Sequence, residues 1–164
     1  MENEDINPDL IKLNKNLKCL YEINIDLSKG EKNFYECNSL IKKCLQQSSH
    51  LLKHTSSHQV FKNTILTNRL PIINLFEIWQ LSVEKEIKNH IIELLHLCCF
   101  SDPTLVSHFY EDINLTSEIC CQLKQDFIKC DHYSLAINLK FLTMLLTNSD
   151  LHLTKSFQGK FSLF

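Results

Sequence analysis

The chain holds two glycines, Gly30 and Gly159, in 164 residues, where average usage of about 7% would give about eleven. Tight hairpins, phosphate-cradling loops and nucleophile elbows all need backbone at positive φ, which glycine usually supplies. With only three prolines besides, most Gly-built chemistry is out of reach. What is left is a string of leucine- and isoleucine-rich helical segments joined by short polar breaks. The fold class read from the sequence is therefore all-α.

The length suits one domain with a sizeable core. An apolar share of 44% with 22% charged residues argues against wholesale disorder. The net charge is −2, and the lysines are scattered rather than gathered into a stripe that would track phosphates. No nucleic-acid partner is expected. No run reaches the roughly 18 apolar residues of a membrane span. The start, Met1-Glu2-Asn3-Glu4-Asp5, is acidic and lacks the basic n-region and apolar run of a signal peptide. The expected location is cytoplasmic. In that reducing compartment the eight cysteines (19, 37, 44, 98, 99, 120, 121 and 130) are expected as free thiols that fill helix faces.

Asn7, Pro8 and Asp9 form a helix-start signal. Leu10, Leu13, Leu17, Leu20 and Tyr21 follow at helical spacing up to Gly30, although the alternation of Ile23, Ile25 and Leu27 also fits an extended end. A second helix is expected from about Glu31 to Lys53, with a stripe of Phe34, Cys37, Ile41, Cys44, Leu45, Leu51 and Leu52 and with Lys42, Lys43, Gln46 and Gln47 facing out. Thr55-Ser56-Ser57 breaks the pattern, and Val60–Leu66 reads as a short helix. From Pro71, residues Ile72, Leu75, Phe76, Ile78 and Trp79 describe a helix buried on much of its surface. Ser82 reads as the next N-cap, with Glu84 and Glu86 in the first turn and Ile87, Ile91, Leu94, Leu95, Cys98 and Cys99 on the core face. Ser101-Asp102-Pro103 opens a short helix with Leu105, Val106 and Phe109. Another runs from Leu115 to Ile128. Asp131 caps the last long one, whose stripe is Leu135, Leu139, Leu142, Leu145 and Leu146, ending at Asn148. About eight helices in a rhythm of about 30 to 45 residues match stacked helix pairs. The domain assignment is 1–148 as a single helical domain, with 149–164 as a C-terminal tail that carries Phe157, Phe161 and Phe164.

Several side-chain constellations could carry chemistry. His50, His54 and His58 stand at i, i+4 and i+8, a spacing that lets imidazoles share a metal, but Thr55-Ser56-Ser57 interrupts them. Cys98-Cys99 with His96, and Cys120-Cys121 with Cys130 and His132, invite a zinc reading. Vicinal helix residues point about 100° apart, however, so core packing is preferred. Cys99 with His96, or Cys130 with His132, could pair a thiol with a base, but no glycine turn supplies an oxyanion hole. Glu84/Glu86 and Glu111/Asp112 sit at helix ends, where carboxylates interact with the backbone dipole. The sequence assigns no catalytic, metal or cofactor residue. The expectation is a protein that is not an enzyme.

Residues 87–146 go further. Leu97-Cys98-Cys99-Phe100-Ser101-Asp102, followed by Leu105 and Val106, is similar to a Leu-x-Cys-x-x-Asp signature closing a leucine-rich helix. Leu115-Thr116-Ser117-Glu118-Ile119 resembles a Leu-Pro-x-Glu-Leu segment. Tyr133-Ser134-Leu135 stands where a helix opens on Tyr-Ser, and Leu142-Thr143-Met144-Leu145-Leu146 resembles its end. This order of features resembles the leucine-rich, armadillo-like domain of NCK-interacting proteins with a Src-homology domain (the WISH or DIP family) and its fungal relatives. Thr116 departs from the family proline, and Cys120-Cys121 replaces a charged pair.

The resemblance implies an armadillo-like solenoid and a non-enzymatic regulator or adaptor of the actin cytoskeleton. It also implies binding to the actin-related protein 2/3 complex and a cortical location. It places no contact residue on this chain. The alternative is a HEAT- or armadillo-type protein-interaction scaffold unrelated to actin. The aromatic tail suggests an incomplete solenoid, expected to self-associate through its uncapped end or to need a partner.

Overall fold

The structure, a computed structural model, describes residues 8–54, 70–101, 106 and 115–148. Among these residues the regular structure is entirely helical: α1 (Pro8–Lys29), α2 (Phe34–His54), α3 (Leu70–Leu81), α4 (Lys85–Ser101), α5 (Leu115–Ile128) and α6 (His132–Thr147). The Asn7 cap, the Val60–Leu66 helix and the 149–164 tail lie outside the described residues. So does the short helix after Pro103, apart from Val106, which is buried. The chain divides into two compact units, Met1–Leu97 and Cys98–Phe164.

In the first unit α1 packs against both α2 and α3. Its inner face carries Leu13, Leu17, Leu20 and Ile23 at helical spacing, together with Asn24. The alternation of Ile23, Ile25 and Leu27 does not turn this end into a strand, because each added residue of a growing helix gains a backbone hydrogen bond. The buried Asn24 amide donates to Glu77 Oε2 on α3 at 2.5 Å. α1 then stops in a Schellman motif. The Gly30 N–H bonds the Leu27 carbonyl at 3.1 Å and the Glu31 N–H bonds the Asp26 carbonyl at 2.9 Å, with Gly30 at φ 70°.

Because Glu31 is used in that motif, α2 begins at Phe34 rather than at Glu31. A capping box opens it: the Glu36 N–H donates to Asn33 Oδ1 at 3.0 Å, and the Asn33 N–H donates to Glu36 Oε2 at 3.2 Å. α2 buries Cys37, Ile41, Cys44, Leu45, Ser48 and Ser49. Leu51 and Leu52, expected on the core stripe, are only half-buried. Two serines take the inner face instead.

α3 buries Ile72, Leu75, Phe76, Ile78 and Trp79 as its pattern predicts. Phe76 and Trp79 stack at 5.9 Å between centroids, and Lys88 Nζ of α4 lies 4.5 Å from the Trp79 ring centroid. The start of α4 falls two residues later than a Ser82 cap would place it. Ser82 Oγ accepts from the Glu84 N–H at 3.2 Å, but the Glu84 carbonyl accepts the first helical bond, from the Lys88 N–H at 3.1 Å. Along α4, Ile87, Ile91, Ile92, Leu94 and Leu95 are essentially inaccessible.

In the second unit α5 packs against α6, and α5 buries Ile119, Cys120, Leu123 and Asp126. The inner face of α6 is Ser134, Asn138, Phe141, Leu142, Met144 and Leu145. That differs from the leucine stripe read from the sequence: Leu139 is exposed, and Leu135 and Leu146 are half-buried. The physical reason is the buried Asp126 carboxylate, which accepts from Gln122 Nε2 at 2.8 Å and from Asn138 Nδ2 at 3.1 Å. A buried charge needs such partners, so α6 turns its polar row inward. Asp131 caps α6 as expected, accepting from the Ser134 N–H at 3.1 Å.

The α5–α6 corner repeats the Schellman geometry without a glycine. Cys130 sits at φ 54°, its N–H bonds the Phe127 carbonyl at 3.2 Å, and the Asp131 N–H bonds the Asp126 carbonyl at 2.9 Å. A left-handed residue with a Cβ costs about 1–2 kcal/mol, partly offset by the extra freedom glycine has when unfolded. Cys130→Gly is therefore expected to stabilise the protein by about 0.5–1 kcal/mol. Cys130→Val should destabilise it by a similar amount. Urea midpoints measure both, and a lower midpoint for Cys130→Gly would contradict the corner geometry.

Candidate binding groove

Four residues, Gly30 to Asn33, separate α1 from α2, so the two helices return side by side as a hairpin. Small side chains at their contact, Cys19 on α1 and Cys44 on α2, leave the outer side of the pair open. The result is a groove of about 720 Å³, lined by Lys12, Lys15, Asn16 and Cys19 from α1 and by Leu40, Lys43, Cys44, Gln46, Gln47, His50 and Leu51 from α2. Its chemistry is divided. Leu40, Leu51 and the two thiols give it an apolar strip. The lysines and side-chain amides stand around that strip.

The Cys44 thiol is pushed up to about 12, first by burial and then by its hydrogen bond with Cys19. A thiol held neutral in this way is a packing element rather than a nucleophile. Leu40 is 45% exposed. None of the eleven lining residues is acidic.

A second polar cluster ties α2 to the beginning of α4. Lys42 Nζ lies 3.0 Å from Glu84 Oε2 and 2.5 Å from Glu86 Oε2, and Asn38 Nδ2 donates to Glu84 Oε1. Lys42 was expected to face solvent; the two carboxylates draw it inward across the helix pair. Hydrogen bonds to Glu86 and Glu84 raise the Lys42 ammonium above its ordinary value, and the bond from Lys42 lowers the Glu86 carboxyl. His90 stands further from Glu86 and Glu93, at 3.8 and 3.6 Å. In this cluster the negative ends meet the positive N-terminus of α4 as well as the lysine.

The structure treats the clusters singled out from the sequence differently. His50 and His54 share a face of α2 with ring centroids 4.5 Å apart, while His58 and the pair Glu111/Asp112 lie outside the described residues. Cys98 and Cys99 are both buried, His96 is half-buried, and burial pushes the Cys98 thiol up to about 12. Cys120 is buried, but Cys121 and Cys130 are exposed and so do not serve as core fillers. Among the described residues no group of three or more histidine, cysteine or acidic side chains is placed to hold a metal ion. No described helix is long and apolar enough to cross a membrane.

Sequence reasoning missed the Lys42 clamp, the Cys19–Cys44 contact and the buried Asp126. The clamp and the contact join helices whose relative rotation no single-helix pattern reveals. Asp126 was detectable only as a break in the apolar stripe of α5.

Compared with protein-family models, curated proteins and solved structures, the chain matches none.

Two measurements follow. Alkylation should reach Cys121 and Cys130 well before Cys44, Cys98 and Cys99; peptide mass mapping over a time course gives the order, and early loss of Cys98 would contradict the packing. Glu86 has its folded carboxyl lowered, so its contribution is present above the ordinary carboxylate range and lost as pH falls through its folded value. Lys42, raised, contributes until pH climbs through its own folded value. Glu86→Gln should therefore cost about 0.2–1 kcal/mol near neutral pH and low salt, the range for exposed pairs. The cost should vanish in acid and shrink with added salt. Thermal melts across pH check this, and an undiminished cost in acid would sink it.

Proposed function

We propose that this protein is a non-enzymatic helical interaction module, an armadillo-like scaffold of stacked helix pairs, and that its protein-binding surface is the groove between α1 and α2. The observation that supports this reading is the groove itself: a concave strip with an exposed leucine, framed by hydrogen-bonding and charged groups. Helix-in-groove recognition uses such surfaces, with apolar anchors inside and polar contacts at the edge.

A narrower form rests on the order of features between residues 87 and 146. Their resemblance to the leucine-rich domain of the WISH or DIP family favours the actin-related protein 2/3 complex as partner, and actin-cytoskeleton regulation at the cytoplasmic cortex as the role. The broader form is a HEAT- or armadillo-type scaffold with a partner unrelated to actin.

Two experiments separate these forms. In a pyrene-actin assembly assay with purified actin-related protein 2/3 complex, acceleration by the chain supports the actin form. Neither acceleration nor pull-down of the complex removes it. Affinity capture from cell extract compares the wild-type chain with Leu40→Glu, which keeps helix propensity but places a charge in the strip. At least one stoichiometric partner should be lost by the variant. Identical captures would end the assignment of the groove as the binding surface.

A further inference from the structure

The groove has a sign opposite to that of the chain as a whole. The net charge is −2, yet Lys12, Lys15 and Lys43 frame the strip, with no acidic residue among the lining side chains. All three lysines are exposed, and none of them pairs with a carboxylate among the described residues. Lys18, Lys32 and Lys42, by contrast, are each engaged with an acidic side chain. Carboxylates thus engage lysines outside the groove, whereas among the described residues none engages those around it.

Shape narrows the ligand further. On α2 the lining runs from Leu40 to Leu51, which at about 1.5 Å per residue is roughly 16 Å, or three helical turns. The strip is a valley between two helices rather than a protruding apolar face. An interfacial membrane helix instead presents bulky apolar side chains outward on a broad face. A helix laid in the valley would set apolar residues at i, i+3 or i+4 and i+7 against Leu40, Cys44 and Leu51. Its flanking positions would meet the lysines.

Resting on the reading of the groove as a protein-binding surface, we infer that the occupant is an acidic amphipathic helix of a partner protein, about three turns long. Apolar burial fixes its position along the strip, and the lysines select the sign of its polar face.

The test uses the full chain and three fluorescent peptides of about fourteen residues, roughly four turns. They share one leucine stripe and differ only in polar face: glutamate, glutamine or lysine. By fluorescence anisotropy, the glutamate peptide should bind about tenfold or more tighter than the glutamine peptide, since each of three exposed pairs adds a modest increment. The lysine peptide should bind weakest, and the advantage of the glutamate peptide should fall as salt is raised. The variant Lys12→Glu/Lys15→Glu/Lys43→Glu, with its fold checked by circular dichroism, should invert the order and favour the lysine peptide.

Equal binding of the glutamate and glutamine peptides overturns the inference, as does an unchanged order in the triple variant. So does lysine-dependent sedimentation with phosphatidylserine vesicles when no peptide binds, which would assign the surface to anionic lipid. If the charge preference fails while capture of a partner still depends on Leu40, only the acidic-helix inference falls and the module reading stands.

Discussion

Each reversal of this chain has to be closed almost without glycine, and the groove depends on how the first one is closed. The α1 end uses Gly30, the one described glycine, for a Schellman turn. Three residues later Asn33 and Glu36 satisfy each other's backbone donors at the start of α2. The link between the helices is consequently short and fully specified, which sets their mutual register. That register places Cys19 beside Cys44, and the two small thiols leave room for the valley above them. At the α5–α6 corner, where no glycine is available, Cys130 takes the left-handed position and Asp131 serves both as Schellman partner and as N-cap.

The interior of the first unit is built mainly from leucine and isoleucine and that of the second mixes them with cysteine, phenylalanine and methionine, but in both polar groups decide how the helices are rotated. In the first unit Asn24 reaches Glu77 from α1 to α3, and Ser48 and Ser49 replace expected leucines on the inner face of α2. In the second, Asp126, Gln122 and Asn138 form one hydrogen-bonded group. Apolar surface alone tolerates many rotations, because leucine packs against leucine in any of them. A buried carboxylate tolerates only those that supply donors. Removing one partner leaves the desolvation cost of the other uncompensated.

The helices themselves were legible in the sequence because apolar periodicity and capping residues are local signals. Leu115–Ile128 and the Asp131 cap are found where the sequence puts them. Boundaries moved where one residue could serve two structures: Glu31 was available to open α2 but closes α1, and Ser82 begins the turn before α4 rather than the helix. Faces were misjudged where a leucine row and a polar row compete, as on α6, since hydrophobicity ranks Leu139 above Asn138 while the buried Asp126 ranks them the other way. The groove was not legible at all. Its lysines lie on two helices separated in sequence, and each alone reads as an ordinary solvated side chain.

The placement of Trp79 has a spectroscopic consequence. It is the only tryptophan of the chain, it belongs to the first unit, and it is buried against Phe76 and beneath the Lys88 ammonium. Its emission therefore senses the α3–α4 corner directly, while the helical signal in circular dichroism sums over both units. Melting of α5 and α6 alone would lower ellipticity and leave the indole's immediate surroundings intact. Coincident optical transitions would mark the two units as one cooperative block. A lag between them would measure how independently each can come apart.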